Sequence, residues 1–255
     1  KIVTENGAKS MGRPQGTYIT IEAPELSTPD EDYHREISEE ISTHLRKLID
    51  LKKEKSVLVV GLGNAAITAD ALGPQVVDNL LMTRHIIKEY GLRGIKHEKM
   101  HRISGIAPGV MAQTGMETAE IVQGIVSETK PDVVVAIDAF AARSVRRLSR
   151  TIQITDTGIS PGAGIGNHRF PVNQETMGIP VIAIGVPTVV DANTIVINTM
   201  EEFLQKEGLA EQDIDTFLRD ISKQSIQDLF VTPKDIEMQI REIGKLIAGG
   251  IDQFQ

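Results

Sequence analysis

From Ser56 onward the apolar residues gather into short runs: SVLVV at 56–60, DVVVAID at 132–138, TIQIT at 151–155 and PVIAIG at 180–185. Each run is bounded by Gly, Pro or Asp, which is the pattern of buried parallel strands covered by helices on both faces. Between the runs, apolar residues at helical spacing predict helices over 75–90, 117–129, 141–149, 189–206 and 234–248. Before Ser56 the pattern differs. Residues 1–27 form a lead-in with one alternating strand, Thr17 to Glu22. The stretch Thr28-Pro-Asp-Glu31 then predicts a helix start, with Thr28 as N-cap, Pro29 in the first turn and Glu31 three residues after the cap. Ile37, Ile41, Leu45 and Leu48 follow on one helical face. No internal repeat is visible. The pattern predicts an α/β fold: three layers, a doubly wound and mostly parallel sheet with helices on both faces. It covers residues 1–255 as a single domain, with a strand/helix extension over about 1–52.

Sheets of this kind bind ligands beyond the carboxyl ends of their strands. Asp138 ends DVVVAID, and Asp70 lies in the loop that leaves SVLVV, so both fall on the expected functional edge. A long glycine-rich segment, 156–167, interrupts the frame. Loops of that length in a compact domain are functional or disordered.

Composition narrows the picture. The 255 residues suffice for a real core, and 40% hydrophobic with 24% charged residues is ordinary for a soluble protein. No apolar run is long enough to span a bilayer and no signal peptide opens the chain, so no membrane partner is expected. Cysteine is absent, which excludes disulfides and thiol catalysis and favours an intracellular compartment. A net charge of −8 argues against a broad nucleic-acid surface and direct nucleic-acid binding. The chain opens at Lys1 rather than Met, as a processed, trimmed or partly visible polypeptide would.

Three motifs invite chemistry. Gly61-Leu-Gly63-Asn-Ala-Ala66 satisfies G-x-G-x-x-G/A after a strand, which would make the protein a nucleotide-binding oxidoreductase. The helix expected to receive the pyrophosphate starts too late, since Pro74 suits a first helical turn, and Asp70 would oppose the phosphates. Gly158-Ile-Ser160-Pro-Gly162 resembles a serine-hydrolase elbow, but Pro161 has no N–H to offer an oxyanion. His97-Glu-Lys-Met-His101 matches H-E-x-x-H. It leaves a zinc-dependent metalloprotease as an alternative, with His97 and His101 as ligands and Glu98 as base. Gly91, Gly94 and Gly105 fence that segment, and an exposed polar connector is the competing reading.

The remaining candidate is the pair Asp70 and Asp138. Two neighbouring carboxyls cannot both ionise easily, so one keeps its proton where the other has lost it. The ionised member can deprotonate water while the other polarises the carbonyl under attack. A helix-capping role for either aspartate is the plain alternative.

At these residues the chain resembles a known family. VVGLGN…TADALGP, GIAPGVMAQTGMET (105–118), AIDAFAARS, TIQITDTGISPGAGIGN and GIPVIAIGVPTVVDA (178–192) together are similar to the germination endopeptidase, or spore protease, of endospore-forming bacteria. The similarity runs from about Val57 to Asp191, with an echo at VTPKDIEMQI and AGG. The resemblance implies an endopeptidase that hydrolyses small acid-soluble spore proteins during germination. It implies a self-processing zymogen, a homotetramer, a location in the cytoplasm of the forespore and spore core, and the fold of hydrogenase maturation proteases, which bind metal. The family's essential aspartates fall on Asp70 and Asp138, and no cofactor is carried over. On this reading Gly61, Gly63 and Asn64 shape the loop presenting Asp70. Gly158, Gly162 and Gly164 belong to a substrate clamp or oxyanion loop. The departures are a propeptide region that is not visible here, a short stretch over 199–232, and Ala69, where the family carries Pro.

Arg143, Arg146, Arg147 and Arg150 keep helical spacing beyond Asp138. They read as a solvated face, or, for Arg143, as a guide for substrate glutamates, because the family's cleavage sites are glutamate-rich. A non-enzymatic binder of spore protein is the remaining alternative.

Overall fold

The computed structural model describes residues 1–49, 54–94, 100–162, 170–222 and 229–253. Its strands are β1 (Tyr18–Glu22), β2 (Ser56–Gly61), β3 (Arg102–Ile106), β4 (Val133–Ala142), β5 (Thr151–Thr155), β6 (Val181–Asp191) and β7 (Phe230–Val231). The first five helices are α1 (Glu5–Met11), α2 (Glu31–Leu48), α3 (Leu72–Asn79), α4 (Arg84–Gly94) and α5 (Met111–Thr114). They are followed by α6 (Thr118–Thr129), α7 (Gln174–Met177), α8 (Ala192–Lys206), α9 (Glu211–Ser222) and α10 (Ile236–Asp252).

The strands lie in the order β1-β5-β6-β4-β2-β3, and β7 adds beside the end of β6. β2, β3, β4 and β6 are parallel. Their alternation divides the core. Val59, Val135, Ile137, Ile182 and Ile184 pack under α2, α3 and α10. Leu58, Val60, Val134, Ala136 and Val181 pack under Ala119 and Val122 of α6 and Met177 of α7. Each Val, Leu or Ile among them taken out of water contributes on the order of 2 kcal/mol. The fold is therefore a mostly parallel sheet with helices on both faces, as the apolar runs predicted.

Several local expectations change. Asp30, not Thr28, caps α2: its carboxylate accepts the N–H groups of Asp32 and Tyr33. TIQIT runs antiparallel to β6 rather than parallel. The link from β4 to β5 is too short for the crossover that a parallel return requires. No helix fills 141–149, because β4 stays paired with β6 through Ala142 and leaves only a 3₁₀ turn at Val145–Arg147. β6 likewise runs on to Asp191, whose side chain caps α8 by accepting Asn193 N–H. The helix expected over 75–90 is two helices. Between them Thr83, fully buried, donates its hydroxyl to His101 O and accepts Ile103 N–H, tying the chain to β3. The lead-in strand, β1, is the outer strand of the same sheet and pairs antiparallel with β5.

Candidate active site

Asp70 ends a 3₁₀ turn, Thr68–Asp70, directly before α3. The turn lies against the end of β2 because glycine occupies the points of contact. Gly63 has φ +108°, and a Cβ there would overlap the Asp70 carbonyl oxygen; a Cβ on Gly61 would overlap the Gly73 carbonyl. Asn64 N–H donates to Asp70 Oδ2 at 2.8 Å. The Asn64 side chain is fixed in turn, its Oδ1 accepting from Ala66 N–H at 3.0 Å and from Gln113 Nε2 at 2.8 Å. Pro74 sits in the first turn of α3, so no helix begins at the glycines.

Asp138 projects from β4 on the face opposite the α2–α3–α10 layer, and is only 6% exposed. Its Oδ1 accepts the N–H of Ala139 at 3.0 Å. Gly185 is its register partner on β6, and Gln153 stands opposite Gly185 on β5. A Cβ on Gly185 would come within 2.8 Å of the Phe140 ring, so glycine lets that ring lie against the sheet beside the acid.

Asp70 and Asp138 line one cavity of about 500 Å³ at this end of the sheet. Arg143, Gly158 and Gly162 border the same cavity. Gly61, Gly63 and Asn64 stand behind Asp70 as described, and Gly164 lies outside the described residues. The arginine series does not share a face. Arg143 and Arg147 border the acids' cavity, joined by Arg13 from the lead-in, whereas Arg146 pairs with Glu202 at 2.8 Å and borders a separate cavity with Arg150. Arg13, Gln153, Thr188 and Phe140 are lining residues that motif reading did not select.

The electrostatics follow from burial. Burial raises the Asp70 pKa above the usual carboxylate value, against the opposing pull of the Asn64 N–H. Asp138 is pushed up to about 8, first by burial and then by the negative charge of Asp70, with the Ala139 N–H acting the other way. A site with one carboxyl so strongly raised holds an acid and a base at the same pH.

Thr188 joins the two halves. It lies at a bulge: Phe140 pairs with Pro187 and Ala141 with Val189, which leaves Thr188 without a partner on β4. Pro187 explains the break, since a proline in a central strand has no N–H for the ladder. The Thr188 hydroxyl donates to Ala69 O at 2.7 Å. A Pro inside the apolar run 180–190 was the available signal in the sequence.

The zinc motif lies elsewhere. His97 and Glu98 are outside the described residues. His101 precedes β3 at the opposite end of the sheet, and its Nδ1 accepts Lys55 N–H at 3.0 Å. Among the described residues, no group of three or more His, Cys, Asp or Glu side chains is placed to hold a metal ion.

A family model described as germination protease matches residues 1–227. The chain belongs to the germination protease family. A germination protease of Caldanaerobacter subterraneus subsp. tengcongensis is 45% identical over 267 residues, spanning 99% of this chain and 82% of the relative. One of Clostridium perfringens is 44% identical over 266 residues, spanning 98% and 81%. The [NiFe] hydrogenase maturation protease HycI of Thermococcus kodakarensis aligns with 82% of this chain and 98% of its own, at 17% identity and a TM-score of 0.39. As a germination protease the chain is a peptidase, which sets aside the oxidoreductase and the non-enzymatic binder. Among the described residues, no helix is long and apolar enough to cross a membrane.

Proposed function

We propose that this germination protease hydrolyses small acid-soluble spore proteins with Asp70 as general base and Asp138 as general acid. The observation that carries the reading is that the two acids, from the turn after β2 and from the length of β4, border one cavity, where the charge of Asp70 helps keep Asp138 protonated. At neutral pH, Asp138 donates a hydrogen bond to the scissile carbonyl oxygen and passes its proton to that oxygen as the tetrahedral intermediate forms. Asp70, with Oδ2 held by Asn64 N–H, takes a proton from water through Oδ1 as the water oxygen attacks the carbonyl carbon. The tetrahedral intermediate collapses as the proton on Asp70 passes to the leaving amine. Asp138 recovers its own proton from the product hydroxyl.

Arg143 and Arg147, at the rim, suit an acidic substrate side chain, and the glycines at 158 and 162 let a peptide backbone approach closely. The family resemblance extends the proposal to a self-processing zymogen, a homotetramer and a location in the spore core. Residues 1–255 are read as one domain, because β1 completes the sheet and α2 packs on α10. The test is digestion of a purified small acid-soluble spore protein by the wild type and by Asp70→Asn and Asp138→Asn. Each variant should bind the protein and release no fragments; wild-type cleavage by either variant would overturn the assignment.

A further inference from the structure

The turn that bears Asp70 is a single 3₁₀ turn, Thr68–Asp70, leading into α3. The Asn64 N–H and the overlap-free contact of Gly63 fix its inner side. On its outer side α10 packs against it, and from β6 the side chain of Thr188, which is 1% exposed, donates to the carbonyl of the residue before Asp70. The bond exists because the bulge at Pro187 frees Thr188 from the ladder and turns its hydroxyl along the sheet end. The same residue is anchored from the other side. Thr232, just after β7, donates its hydroxyl to Thr188 O at 2.9 Å, and β7 pairs with Val190 and Asp191 of β6. A line of hydrogen bonds thus runs from the C-terminal segment through the bulge to the Asp70 turn.

We propose that Thr188 is a positioning residue for peptide hydrolysis, its hydroxyl setting the approach of Asp70 to Asp138, with Thr232 buttressing it. The inference rests on the aspartate-pair reading above. Without the hydroxyl, Ala69 O loses its donor and the turn relaxes away from β4. A displacement of about 1 Å in a reacting group costs on the order of a hundredfold in rate. The charged groups around the pair stay the same: Arg13, Arg143 and Arg147 still border the cavity.

The experiment compares full-length Thr188→Val, Thr188→Ser and Thr232→Val with wild type on a small acid-soluble spore protein, measuring kcat, KM and the pH profile of kcat. Thr188→Val should lower kcat about 10- to 100-fold with little change in KM. Its alkaline limb should move to lower pH, because a more distant Asp70 repels the Asp138 charge less. Thr188→Ser should restore kcat to within about threefold and restore the limb, and Thr232→Val should fall between. If Thr188→Val does not fold, Thr188→Cys, with only a weak S–H donor, carries the same comparison. Wild-type kcat and pH profile in the variant lacking the hydroxyl would overturn the assignment, as would a serine variant as impaired as the valine one. Asp70→Asn and Asp138→Asn run in parallel separate the two failures. If these are inactive while Thr188→Val is normal, only the role of Thr188 falls; if they are active, the pair itself falls.

Discussion

The backbone N–H of Asn64 donates to Asp70 Oδ2 at 2.8 Å, committing one oxygen of that carboxylate to the loop. The other oxygen remains for the cavity that Asp138 also borders. A base held by one oxygen and working with the other keeps its orientation through the reaction without a charged partner to quench it. The glycines of the β2 loop make this contact possible.

Gly63→Ala must accommodate a Cβ at φ +108° against the Asp70 carbonyl. The strain is on the order of 1–3 kcal/mol, relieved by moving the turn that carries the base. Denaturant unfolding should show that loss in stability, and kcat should fall by more than about tenfold in the folded protein. A stable variant with full activity would mean the turn is not held by this contact.

Arg143 borders the cavity, and its neighbour Arg146 is engaged with Glu202. Arg143→Glu should raise KM for acidic cleavage sites by about tenfold or more and leave kcat nearly unchanged. The effect should shrink as salt rises. Steady-state kinetics at low and high ionic strength check both points, and Arg146→Glu should have the smaller effect on KM.

Asp138 also makes stability depend on pH in a defined direction. Its folded pKa of about 8 lies above the ordinary 3.8, so the folded protein binds the extra proton between those values. The stabilisation is complete below pH 3.8, is lost as pH rises towards about 8, and is flat beyond. The limiting slope is about 1.4 kcal/mol per pH unit. Denaturant titrations at several pH values should give wild type this slope and give Asp138→Asn a much shallower one. Parallel curves for the two proteins would contradict the buried, protonated acid.

The central sheet was legible because the strands beneath two helical layers have no polar face. SVLVV, DVVVAID and PVIAIG needed no partner to be recognised. What depended on partners was not legible. β3 is Arg102-Ile-Ser-Gly-Ile at the sheet edge, with too few apolar residues to stand out. The ends of β4 and β6 were read short, since Ala139 to Ala142 stay extended only by pairing with Val186 to Val190. That error put a helix under Arg143, Arg146 and Arg147, which the structure divides between two cavities. Asp70 stood out in the loop after SVLVV and Asp138 at the end of an apolar run, although β4 continues past it to Ala142. The bulge residue Thr188, by contrast, takes its importance from a bond across 119 positions of sequence.

Proton sharing between the acids is tested most directly by ¹³C NMR of the aspartate carboxyls, followed through a pH titration of wild type and of Asp138→Asn. Wild type should contain one carboxyl that titrates near pH 8, and that signal should vanish in the variant, while that of Asp70, which titrates with Asp138 uncharged, keeps its midpoint. If every aspartate carboxyl of the folded wild type titrates below about pH 5, no proton is held between Asp70 and Asp138, and the mechanism is wrong.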